Sequence, residues 1–135
     1  MATFNFELVS PDKVLVSEPA WQVVIPGEEG YLGVRAGHTS IIAAVKPGVV
    51  EVKKSESATA EKIFIAGGFA DITAKNCTIL AEQAVNVNEL NAVTIENEIA
   101  HLAEQAKIAT SATDKALAEK KLQIATLKLQ AVKAA

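Results

Sequence analysis

The stretch Ile25-Pro26-Gly27-Glu28-Glu29-Gly30-Tyr31-Leu32-Gly33-Val34-Arg35-Ala36-Gly37-His38-Thr39-Ser40-Ile41-Ile42-Ala43-Ala44-Val45-Lys46-Pro47-Gly48-Val49-Val50 holds five of the chain's seven glycines and two of its four prolines. They punctuate short β-branched runs, so the backbone has to reverse tightly several times in a small space. Turns this closely set belong to an all-β module.

Outward from that stretch the same pattern continues. Thr3–Val9 alternates, with Phe4, Phe6 and Leu8 on one side and Asn5 and Glu7 on the other, the period of a half-buried strand. Ser10-Pro11-Asp12-Lys13 turns the chain, and Val14–Ser17 and Ala20–Ile25 read as two further strands separated by Glu18-Pro19, where the proline suggests an edge or a bend. Downstream, strands are expected at Tyr31–Arg35, Ile41–Val45, Val49–Lys53, Lys62–Ala66, Phe69–Thr73 and Cys77–Ala84. Lys46-Pro47-Gly48 has the proline and glycine of a type II turn. Roughly ten short strands with frequent turns predict an antiparallel β-sandwich, or flattened barrel.

After Asn88 the period changes. Ile95, Ile99, Leu102, Ala106 and Ala109 recur at spacings of four and three, and so do Ala118, Leu122, Ala125, Leu129 and Val132. Thr110-Ser111-Ala112-Thr113 separates the two seams and offers Ser111 or Thr113 as an N-cap, with Asp114 in the first turn of the second helix. A connection this short makes the helices antiparallel neighbours. The expected fold is therefore α+β, with a sandwich over residues 1–87 and a two-helix hairpin over residues 88–135. Both seams are rich in Ala, which contributes less on burial than larger aliphatics. The charges segregate too: Glu96, Glu98 and Glu104 outnumber Lys107 on the first helix. On the second, Lys115, Lys120, Lys121, Lys128 and Lys133 outnumber Asp114 and Glu119.

Composition removes whole classes of function. A net charge of -3 and 4% aromatic residues give nucleic acid neither a basic field nor a stacking surface. No apolar run approaches the roughly 20 residues of a membrane span, and the N-terminus lacks the pattern of a signal peptide. One cysteine, Cys77, makes no intramolecular disulfide. The candidate chemistry is thin as well. Glu28 and Glu29 are adjacent on a turn and do not converge as a metal or acid/base pair would. Gly27, Gly30 and Gly33 miss the dinucleotide spacing. Cys77 sits in an apolar strand as an inert thiol, His38 follows a turn glycine as a hydrogen-bonding or interface residue, and Trp21 reads as core. These residues suggest no catalytic or metal site. From them alone the reading is a sandwich with a helical arm, a component of an assembly.

The ordered series Leu8-Val9-Ser10-Pro11, Ile25 to Gly33, Gly37-His38-Thr39-Ser40, Lys46-Pro47-Gly48 and Ala66-Gly67-Gly68-Phe69-Ala70, followed by two helices, closely resembles the epsilon subunit of bacterial F-type ATP synthases. The mitochondrial and chloroplast equivalents are similar. The resemblance implies a non-catalytic rotor protein of the central stalk, peripheral on the cytoplasmic face of the bacterial inner membrane, or on the matrix side if organellar. It meets the membrane only through its complex. It further implies that Gly27, Glu28, Glu29, Gly30, Tyr31 and Leu32 face the c-ring, and that Ser10, Gly37, His38 and Thr39 lie near the gamma subunit. The helices, with Lys115, Lys120, Lys121 and Lys128, would reach the alpha and beta subunits of the catalytic head and inhibit ATP hydrolysis. Some members bind ATP through an Asp and an Arg at the start of the first helix. Here Asn91 and Thr94 stand in those places, so no cofactor is expected. The competing reading is a free-standing adaptor that recruits unrelated proteins.

Overall fold

The computed structural model describes residues 2–134, and within them the alternating stretches form ten strands. They are β1 (Phe4–Val9), β2 (Val14–Ala20), β3 (Gln22–Gly27), β4 (Gly30–Val34), β5 (Ile41–Val45), β6 (Gly48–Lys53), β7 (Glu61–Ile65), β8 (Gly68–Ile72), β9 (Asn76–Ala81) and β10 (Ala84–Asn86). A short 3-10 turn, Val87–Glu89, leads into α1 (Ala92–Ile108) and α2 (Ala112–Ala134). The chain separates into two compact units, Met1–Asn86 and Val87–Ala135. Met1 and Ala135 themselves lie outside the described residues.

In the first unit the strands form one continuous sheet in the order β10-β7-β6-β3-β5-β8-β9-β1-β2, with β4 paired to β3 off that path. The sheet folds over into a nearly closed sandwich. Neighbours run antiparallel except β1 and β9, which are parallel from Asn5 opposite Asn76 to Val9 opposite Leu80. Alternate residues turn inward. Phe6, Leu8, Val23, Ile25, Ile65, Ile72 and Ile79 have no exposed surface and make one core with their neighbours. Among the described residues no polar or charged side chain is buried.

Four details depart from the expectations drawn from sequence. Pro19 does not break the second strand: β2 runs through it to Ala20, because β2 ends the sheet and has only β1 beside it, and an edge strand tolerates a residue without an N–H. Nor does Pro26 end β3. It pairs with Tyr31, and its carbonyl accepts from Lys46 N–H at 2.9 Å. Gly48 is no type II turn residue, since its φ is not positive. It opens β6 opposite Ile65, and a Cβ there would lie 3.1 Å from the Pro26 ring. Finally, the run Cys77–Ala84 divides. Glu82 N–H donates to the Gly67 carbonyl at 3.0 Å and the Gln83 carbonyl accepts from Ala66 N–H at 2.9 Å, so Ala84–Asn86 becomes a separate strand on β7.

The second unit is the hairpin. Glu96 near the start of α1 lies 4.0 Å from Lys133 near the end of α2, so the helices are antiparallel. Ser111 caps α2, its Oγ accepting from Asp114 N–H at 3.0 Å. Ile95 and Leu102 are buried on α1, and Ala118, Ala125 and Ala131 on α2. The larger residues of the second seam, Leu122, Leu129 and Val132, are only half-buried. No helix among the described residues is long and apolar enough to cross a membrane.

Candidate functional site

The β3–β4 turn is fastened on two sides. Along β3 and β4 the ladder closes from Val23 opposite Val34 to Gly27 opposite Gly30. Past the turn, Glu28 N–H donates to the Ala44 carbonyl at 3.0 Å, and Gly27 stands opposite Val45. The glycines are what allow this closure. Gly30 has φ +132°, and a Cβ on Gly27 would meet the Gly30 carbonyl oxygen at 2.7 Å. Glu28, Glu29 and Tyr31 project outward from this framework, Tyr31 with 69% of its surface exposed. The Lys46 ammonium lies 6.0 Å from the Tyr31 ring centroid, at the outer reach of a cation–π contact. Between the turn and Ile41–Ala44 runs an open groove of about 560 Å³. The six residues expected to act together at this edge are thus held on one rigid feature.

The other expected set is split. Ser10 follows β1 at the strand end where Leu80, Gly68 and Val45 also lie, the end of the Gly27–Gly30 turn. Its backbone N–H and its hydroxyl both reach the Lys13 carbonyl, at 2.9 and 3.3 Å. Gly37, His38 and Thr39 connect β4 to β5 at the opposite end. There Gly37 N–H donates to the Ala74 carbonyl at 2.8 Å and Asn5 N–H donates to that of Lys75 at 2.9 Å. The half-buried His38 places Nδ1 2.7 Å from the Thr39 carbonyl, as the donor.

Cys77 has no exposed surface, and burial, with Asp71 adding its negative charge, pushes its thiol up to about 12. It stays protonated and unreactive at neutral pH. Trp21, expected in the core, is half-buried instead, with the Arg35 guanidinium 4.2 Å from its ring centroid and also bonded to Gln22 Oε1 at 3.1 Å. Among the described residues no group of three or more His, Cys, Asp or Glu could hold a metal ion.

On the hairpin, Lys115, Lys120 and Lys121 are exposed and Lys128 is half-buried. Helical periodicity puts Lys121 and Lys128 on one side of α2 and spreads Lys115 and Lys120 around it. Lys121 borders a small hollow of about 260 Å³ near the hairpin tip, beside Ile108 and Leu117. Asn91 is committed to a structural task. Its Oδ1 accepts from Val93 N–H at 2.9 Å and Thr94 N–H at 3.3 Å, capping α1.

Sequence reasoning overlooked Ile42, Phe69 and Leu80, all well exposed. The signal was present: Phe69 shares its strand face with Asp71, and Leu80 with Thr78, so each is a large apolar residue at a polar position.

Comparison with known proteins points one way. Residues 3–87 match the model of the family described as ATP synthase, Delta/Epsilon chain, beta-sandwich domain. An ATP synthase epsilon chain of Rhodospirillum centenum is 40% identical over 132 residues, covering 95% of this chain and 90% of that one. Another, of Sinorhizobium medicae, is 52% identical over 97 residues, 72% of each. In fold, the chain is similar to one in the cryo-EM structure of the Euglena gracilis mitochondrial ATP synthase, OSCP/F1/c-ring, with a TM-score of 0.83 at 23% identity, over 98% of this chain and 82% of that. A chain in the central stalk/c-ring structure of the Tetrahymena thermophila mitochondrial enzyme gives 0.67 at 14%, over 96% of each.

Proposed function

The chain belongs to the ATP synthase delta/epsilon family, and from that premise we propose that it is a non-catalytic subunit of the rotor, joining gamma to the c-ring and restraining ATP hydrolysis through its helices. The observation that carries the docking half is the β3–β4 turn. It is hydrogen-bonded on both sides, set by Gly27 and Gly30, and presents Glu28, Glu29 and Tyr31 as a fixed shape, while Leu32 packs back against the core. A surface that must turn with its neighbours transmits torque only if it does not yield. In this reading Gly27 to Leu32 meet the c-ring, Ser10 and Gly37 to Thr39 meet gamma, and the protein reaches the membrane only through that complex.

Residues 1–87 then do the docking and residues 88–135 the regulation. The Ala-rich hairpin suits an element that exchanges one packed arrangement for another, because little burial is lost on release. Lys115, Lys120, Lys121 and Lys128 supply positive charge for an acidic surface on the alpha and beta subunits. ATP is not a ligand in this reading. Asn91, in the place of the carboxylate of ATP-binding members, spends its oxygen on the α1 cap, and Thr94 brings no guanidinium.

Capture by the full-length protein tests the docking role. It is expected to retain purified gamma together with the c-ring in stoichiometric amount. A chain that retains neither is an adaptor of another kind, and the rotor reading falls.

A further inference from the structure

Tyr31 is the largest side chain of the β3–β4 turn, and most of its ring faces water. A side chain so open samples several orientations, and fixing one of them on binding lowers affinity by its ordering cost. The backbone brings a cation to this ring. Pro26 stands opposite Tyr31 on the β3–β4 ladder, and the Pro26 carbonyl accepts from Lys46 N–H at 2.9 Å. Pro26 is itself fully buried, and a Cβ on Gly48 would come within 3.1 Å of it, so it has no room to shift. The row Tyr31–Pro26–Lys46 is thereby set by the fold, and it carries the Lys46 ammonium to 6.0 Å from the Tyr31 ring centroid. Among the described residues the ion pairs join Lys54 to Glu18 and Lys133 to Glu96, and neither involves Lys46, although Glu28 and Glu29 stand on the same turn. The charge rests by the ring. Tyr31 in turn is one wall of the groove whose other side is Ile41 to Ala44, so the orientation of the ring sets the groove's width.

Resting on the reading that Gly27 to Leu32 meet the c-ring, we propose that Lys46 is a positioning residue for that contact. It holds the Tyr31 ring in one orientation before the partner arrives, and it acts through the ring without touching the partner itself.

The test is the affinity of the full-length chain for an immobilised, purified c-ring. Lys46→Met keeps the stem and removes the charge, and is expected to bind about two- to fivefold more weakly, as loss of an exposed cation–π contact does. Lys46→Arg keeps a cation at the ring and is expected to bind as the wild type does. Tyr31→Leu removes the ring and is expected to lose at least about tenfold. Adding Lys46→Met to Tyr31→Leu is expected to cost nothing more, because the lysine acts only through the ring. Lys62→Met, on β7, is the control and is expected to match the wild type. Thermal unfolding followed by circular dichroism verifies each fold, and if Lys46→Met disturbs it, Lys46→Gln serves instead with the same expectation. Wild-type affinity in Lys46→Met or in Tyr31→Leu, equal losses in Lys46→Met and Lys46→Arg, or a further loss when Lys46→Met is added to Tyr31→Leu each overturn the proposal while leaving the c-ring reading standing. A wild-type chain that does not bind the c-ring at all overturns that reading and the proposal with it.

Discussion

Ile79 in the sandwich and Ala125 in the hairpin are both removed from solvent, yet they hold their surroundings with unequal force. The first unit closes around Phe6, Leu8, Ile25, Ile65, Ile72 and Ile79, each contributing about 1.5–3 kcal/mol on burial. On α2 the buried positions are Ala118, Ala125 and Ala131, and a methyl group contributes about 0.8 kcal/mol. The pair Glu96–Lys133 adds little, being exposed on both sides and 4.0 Å apart. Among the described residues the larger buried side chains of the second unit are Val87, Ile95 and Leu102, fewer than those of the first. In the proposed reading that difference lets the sandwich keep its shape while the hairpin exchanges its packing at small cost.

Substitutions in each unit sharpen that contrast. Ile79→Ala leaves a cavity in a core with no slack and is expected to cost about 2–5 kcal/mol, read as a lower urea midpoint followed by circular dichroism. Ala125→Gly removes one methyl and loosens the helix backbone, for about 1.5–2 kcal/mol in all, and is expected to leave the sandwich transition where it was. Equal losses from the two would erase the distinction. The smallest effect expected is none: calorimetric titration with ATP should give no saturable heat, and millimolar or tighter binding would mean that Asn91 and Thr94 do not exclude the nucleotide.

The strands and helices were legible because burial imposes a period and the period survives in the residues. Phe4, Phe6 and Leu8 alternate since only one side of β1 faces the core. Ser111 announced its helix since a hydroxyl there has an N–H to accept from. What escaped depended on neighbours distant in sequence. Pro19 suggested an edge or a bend, and that β2 runs on through it depends on that edge being empty; the role of Gly48 turns on the Pro26 ring across the sheet. The candidate edge at Gly27–Leu32 was visible from its glycines, whereas its second anchor, on the Ala44 carbonyl, was not. Ser10 and His38 came as one set by resemblance. Only the strand register separates them and draws attention to Phe69 and Leu80 between.

The proposal that the sandwich docks while the hairpin restrains comes to its sharpest test in the reconstituted enzyme. ATP hydrolysis is measured with the full chain and with residues 89–135 deleted, gamma and the c-ring being present in equal amount in both. The account predicts that the truncated chain still assembles with its partners and that turnover rises several-fold. Unchanged turnover in a fully assembled complex would contradict it.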